Sequence, residues 1–97
     1  MPRYVSLINW TQQGIQNYRD TVRRVEDARA AGEQSGVRIV DIYWTLGGYD
    51  IVGVFEASDD EALTAFLLQL GSLGNVRTQT LRAFSADEMS RIIERTG

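Results

Sequence analysis

The chain has 97 residues, 43% hydrophobic and 24% charged, with a formal net charge of −3. That is one domain, residues 1–97, near the small end of what buries a core of its own. It contains no Cys, no His and no Lys, and all ten basic residues are Arg. Disulfides, thiolate nucleophiles, Schiff bases and the commonest metal ligands are thereby excluded, and no metal site or cofactor is expected.

Charge and hydropathy exclude further classes. Arginines and acids are interspersed, with clusters only at Arg19/Arg23/Arg24 and Arg77/Arg82, so the concentrated basic footprint that nucleic acid requires is missing. No apolar run approaches the ~20 residues that cross a bilayer. Met1-Pro2-Arg3-Tyr4 lacks the apolar core of a signal peptide, and a cytoplasmic address is the expectation.

Tyr4 to Trp10 alternates as a strand, with Val5 and Leu7 on one face and Tyr4, Ser6 and Ile8 on the other. After the polar loop Thr11–Gly14, the residues Ile15, Tyr18, Val22, Val25 and Ala28 recur at helical spacing. Gly32 and Gly36 mark the end of that helix. Val37 to Leu46 reads as a long strand, and Tyr49 to Ala57 as its partner across Gly47-Gly48. Ser58-Asp59-Asp60-Glu61 has the pattern of a capping box opening a second helix with Leu63, Phe66, Leu67, Leu70 and Leu73 inward. Asn75 to Phe84 reads as a fourth strand. Ser85-Ala86-Asp87-Glu88 caps a short terminal helix whose Met89, Ile92 and Ile93 are expected to face inward.

The order is β-α-β-β-α-β plus a terminal helix: an α+β, ferredoxin-like fold with a four-stranded antiparallel sheet and two helices on one face. Its first and third strands are expected to be central and parallel, with the fourth antiparallel beside the first. A two-residue Gly47-Gly48 turn pairs Leu46 with Tyr49, Trp44 with Ile51, Ile42 with Gly53 and Val40 with Phe55. One face then carries Val40, Ile42, Trp44, Leu46, Tyr49, Ile51 and Phe55 under the helices. The other carries Ile39, Asp41, Tyr43, Thr45, Asp50, Val52, Val54 and Glu56, joined by Tyr4, Ile8 and Trp10 from the first strand. A solvated sheet face is mostly polar. This one is half apolar, which predicts a homodimer packed sheet to sheet. Tyr4, Asp50 and Arg82 are expected near one end of the sheet, where Asp50 and Arg82 could pair.

Three segments resemble those of the GYD-domain family of small bacterial proteins. They are the hairpin tip Gly48-Tyr49-Asp50, the block Leu70-Gly71-Ser72-Leu73-Gly74-Asn75-Val76-Arg77 with the strand after it, and the opening Tyr4–Ile15. The chain departs from the family pattern at Tyr18–Val22, where Arg19-Asp20-Thr21 replaces a helix break and an unbroken helix is expected. The resemblance implies a dimeric α/β-barrel, in which two ferredoxin-like sheets face each other, and an activity that is undefined. That architecture also serves monooxygenases, isomerases, haem proteins and small-molecule-binding regulatory domains, and fold alone does not choose among them.

Three functional readings stay open. The first is a homo-oligomeric module that binds a small molecule or another protein, with Asn9, Trp10, Trp44, Tyr49 and Arg77 as the ligand-binding candidates. The second is a cofactor-independent isomerase, cyclase or monooxygenase. Asp50 or Asp41 would be its base, Tyr4, Tyr43 or Tyr49 its hydrogen-bond donor and Arg82 its oxyanion stabiliser. The third is a purely structural subunit of a symmetric assembly. Partners are the chain itself and a small molecule or protein, with neither nucleic acid nor membrane.

Overall fold

Strand β1 (Arg3–Trp10) is followed by α1 (Gln12–Gln16), α2 (Thr21–Gln34), β2 (Val37–Trp44), β3 (Ile51–Ala57), α3 (Asp60–Ser72), β4 (Val76–Ala83) and α4 (Ala86–Glu94). This is the order in the computed structural model, which describes residues 1–97. The sheet runs β2-β3-β1-β4 with every neighbouring pair antiparallel. The βαββαβ order and the terminal helix are as expected; the parallel pairing of β1 and β3 is not. The helical crossover makes β1 parallel to β2, and the hairpin reverses β3 against β2, so β3 between them opposes both.

The core lies between the sheet and the helices. Tyr4, Ile8, Ile39, Ile51 and Phe55 from the sheet meet Leu63 and Phe66 of α3, and Phe55 and Phe66 stack edge to face at 6.1 Å. Tyr4 and Ile8 therefore lie under the helices, and Trp10 packs against the same cluster, the reverse of the expected side. Ser6 is fully buried among them, its hydroxyl 2.9 Å from that of Thr80. The open face carries Val5, Leu7, Val52, Val54 and Leu81 instead.

Strand β2 explains the second displaced set. Ile39 pairs with Phe55 and Asp41 with Val54, leaving Val40 as the extra residue of a β-bulge. The bulge breaks the two-residue alternation, so Ile39 and Ile42 both pack towards the core although three residues apart. The expected pairs Ile42–Gly53, Tyr43–Val52 and Trp44–Ile51 form. Beyond them the chain leaves the ladder, residues 45–50 make the tip, and Leu46 is fully exposed rather than buried.

The helices also depart from the pattern in the residues. No unbroken helix runs from Ile15; α1 ends at Asn17 and a 3-10 turn, Tyr18–Asp20, precedes α2. Asn17 donates its side-chain amide to the Gln13 carbonyl, while Arg24 donates to the Asn17 carbonyl at 2.7 Å and ties the break to α2. Ile15, Tyr18 and Val22 consequently face solvent. Asp59, not Ser58, caps α3 by accepting from the Ala62 amide at 2.8 Å. The Ser85–Glu88 capping box of α4 is complete. Met89 and Ile93, expected inward, are exposed, because α4 continues beyond the sheet and packs little against any other element.

Candidate functional site

The segments at the top of the sheet are held by a network around Gly14. The Thr11 amide donates to the Asn75 carbonyl at 3.0 Å and the Thr11 hydroxyl donates to the Gly74 carbonyl. Gln13 Nε2 donates to the Leu73 carbonyl and to Asn75 Oδ1, both at 3.0 Å. A Cβ on Gly14 would lie 2.0 Å from the Asn75 oxygen, so only glycine permits this approach. The opening segment and the Leu70–Arg77 segment are thus one docked unit.

Asp50 clips the hairpin tip to the end of β1. Its amide donates to the Ile8 carbonyl, and its Oδ2 accepts from the Trp10 amide, each at 2.9 Å. Arg82 lies beside Tyr4, four strand residues below Ile8, which is about 14 Å at the usual rise. The expected Asp50–Arg82 juxtaposition does not occur, since β1 pairs antiparallel with both neighbours. Arg82 instead sits over the Tyr4 and Phe84 rings and reaches Glu88 at 3.9 Å. The Tyr4 hydroxyl donates to Asp60. Burial, reinforced by that carboxylate, raises its phenol from 10.0 to about 12.

The sheet divides the other candidates. Asn9 and Arg77 pair across β1 and β4 on the open face, and the Tyr49 hydroxyl reaches Gln79 there at 3.2 Å. Tyr49, expected under the helices, thus crosses the open face because the tip does not keep strand alternation. Trp10 and Trp44 lie on the helix side. The Trp44 indole donates to the Thr21 hydroxyl at 3.0 Å, whereas the buried Trp10 indole N–H has no partner. On the open face, Glu56 accepts from Arg3 at 2.8 Å with Arg38 at 3.6 Å, and hydrogen bonding to Arg3 holds its carboxyl below the usual range.

Trp10 lines a small cavity of about 50 Å³ between the sheet and the helices, together with Thr21, Arg24, Val25, Ile51 and Phe66. Arg24, Phe66, Leu70 and Val76 also line a solvent-open groove of about 600 Å³ between α2 and α3. The sequence reading does not single out Thr21 or place Arg24 at a pocket. Their spacing with Val25 and Ala28 places them on the inward stripe of α2, a signal masked by grouping Arg24 with its charged neighbours Arg19 and Arg23. No three carboxylates converge in a way that could hold a metal ion, and no helix is long and apolar enough to cross a membrane.

Comparison with known proteins agrees with this arrangement. The family model described as GYD domain matches residues 4–93. A Thermus thermophilus protein named glutamine synthetase and cystathionine beta-lyase binding protein is 35% identical over 94 residues, covering 95% of this chain and 99% of the relative. The crystal structure of TTHA0845, also from Thermus thermophilus, has a TM-score of 0.57 at 28% identity, over 89% of this chain and 96% of that one. MtbAldR has a TM-score of 0.68 at 15% identity, over 87% of this chain and 52% of that one, and shares the fold alone. The chain thus spans about half the length of MtbAldR.

Proposed function

Because the chain belongs to the GYD domain family, we propose that it is a homo-oligomeric binding module, cytoplasmic and bacterial, that engages partner enzymes. Enzymes of the kind named for its Thermus thermophilus relative, glutamine synthetase and cystathionine beta-lyase, are the first candidates. The observation that carries this reading is the uncovered sheet face. Val5, Leu7, Val52, Val54 and Leu81 stand there beside Tyr43, with Tyr43 59% and Leu81 47% exposed. A second copy packed face to face covers that surface. A separate apolar surface remains on the helix layer, where Ile15, Tyr18 and Val22 are exposed, and this is the surface assigned to the partner.

The catalytic alternative has less support. Its candidates Asp50 and Arg82 stand at opposite ends of β1, and Asp50 spends a carboxylate oxygen on the Trp10 amide. Calorimetric titration of the protein into glutamine synthetase and cystathionine beta-lyase from the same source tests the proposal. Saturable binding to one of them, weakened by Val22→Glu, is expected. Absence of heat with both enzymes overturns it.

A further inference from the structure

The two edges of the sheet are built differently. At one edge, β2 carries the bulge at Val40, and Arg29 of α2 donates to its Ile39 carbonyl at 2.8 Å. Bulges and charged side chains blunt an edge against further pairing. At the other edge, β4 pairs with β1 through all of Val76–Ala83, with no bulge and no proline. Its Arg82 is drawn back over the Tyr4 ring. No backbone bond outside the ladder reaches these residues, so alternate N–H and C=O groups of β4 point outward unpaired.

Helix α4 is unpartnered too. It has nine residues and a complete capping box, and Met89, Ile92 and Ile93 form one apolar stripe along it. Glu88 and Ile92 are half-buried against the body, where Arg82 reaches Glu88, whereas Met89 and Ile93 are exposed. A helix shorter than ~12–15 residues is marginal in water unless its apolar face is packed. Leu73, at the end of α3, is a third bare apolar group, 66% exposed on the groove that Leu70 and Val76 also line.

We infer that β4 pairs antiparallel with the β4 of a second copy across a two-fold axis, and that α4 of each copy packs on the α3 end of the other. A two-fold axis between neighbouring antiparallel strands stands perpendicular to the sheet. Each face then continues on its own side, and opposed residues share a face. Arg77, on the open face, and Arg82, on the helix side, therefore never meet. With Gln79 opposite its own copy, Ala83 falls opposite Asn75 of the second copy, so α4 begins beside the second copy's Leu73 and its groove. Arg82 keeps the first turn of α4 on the helix side, where that groove lies. One contact covers the bare edge, the α4 stripe and Leu73 together. It uses other residues than the open-face packing, and either can fail without the other.

One strand edge and one short helix make a small interface, so the contact is expected to form near 1 mM and not at micromolar concentration, on the order of transient complexes. Sedimentation equilibrium and amide hydrogen exchange of the wild type, at about 10 µM and about 1 mM, test it. The mass is expected to rise about twofold between the two, whatever its value at the lower concentration. The α4 amides, and the β4 amides that the β1 ladder leaves free, should exchange about threefold slower or more at the higher one. Ile93→Glu, at an exposed position, is expected to keep the low-concentration mass and abolish the rise. Equal mass at both concentrations overturns the inference, and is the outcome if the edge is kept for a strand of another protein. A rise that Ile93→Glu leaves intact also overturns it, as do β4 amides that exchange equally fast at both concentrations.

Discussion

Replacing Gly14 by alanine sets two effects of opposite sign against each other. Gly14 lies in α1 without a positive φ, and helix propensity alone would make alanine better by about 1 kcal/mol. The new Cβ, however, would sit 2.0 Å from the Asn75 carbonyl oxygen and 2.9 Å from its carbon, both backbone atoms that no rotamer change can move. Helix α1 must lift from the segment between α3 and β4, at the expense of the Thr11 amide bond to Asn75 and the Gln13 contacts with Leu73 and Asn75. The Thr11 hydroxyl bond to Gly74 goes with them. At about 1 kcal/mol net for each bond, the loss exceeds the helical gain by about 2–3 kcal/mol. Thermal unfolding at fixed protein concentration should then show a midpoint lower by about 10–20 °C. Gly71→Ala is the control: it too is helical, but its Cβ would meet nothing within 4 Å, and a gain of about 0.5–1 kcal/mol is expected. A Gly14→Ala midpoint at or above the wild-type value would refute the close packing of α1 against the segment between α3 and β4.

Further predictions concern the hairpin clip and the buried phenol. Asp50→Ala should cost about 1–3 kcal/mol in urea unfolding, because a charged acceptor is lost from the Trp10 amide, while Asp50→Asn retains most of the stability; equal losses would contradict the clip. The Tyr4 phenol is held neutral in the fold up to about pH 12, first by burial and then by Asp60, but ionises near 10 when unfolded. Its contribution is therefore complete below pH 10 and is lost as pH rises from 10 to about 12. Urea midpoints across that window should fall less steeply for Tyr4→Phe than for the wild type, and identical slopes would remove Tyr4 as the cause.

The order of the elements was legible in the sequence because it rests on local signals: alternation in β1, the glycine pair between β2 and β3, and the Ser85–Glu88 cap; the direction of β3 against β1 was not. The faces were less so. A single extra residue at Val40 exchanges Ile39 for Val40 in the core, and nothing in Val-Arg-Ile-Val-Asp-Ile marks the bulge, since its pairing is decided by β3 across the sheet. Tyr49 and Leu46 left their expected faces for a related reason: residues 45–50 are held by Asp50 and Thr45 rather than by strand pairing. Of the residues expected around a pocket, Trp10 lines the inner cavity, while Asn9 and Arg77 belong to the other side of the sheet. Arg24 was hidden by its charge, although its position on α2 places it inward.

On the proposed reading, the open sheet face meets a second copy. Light scattering coupled to size exclusion, at micromolar protein, measures this directly on the wild type and on Val54→Glu, whose new carboxylate would lie on that face opposite Val5. A wild-type mass at least twice that of one chain and a folded, monomeric Val54→Glu are expected. A wild-type mass equal to one chain, or an oligomer that Val54→Glu leaves intact, would contradict it.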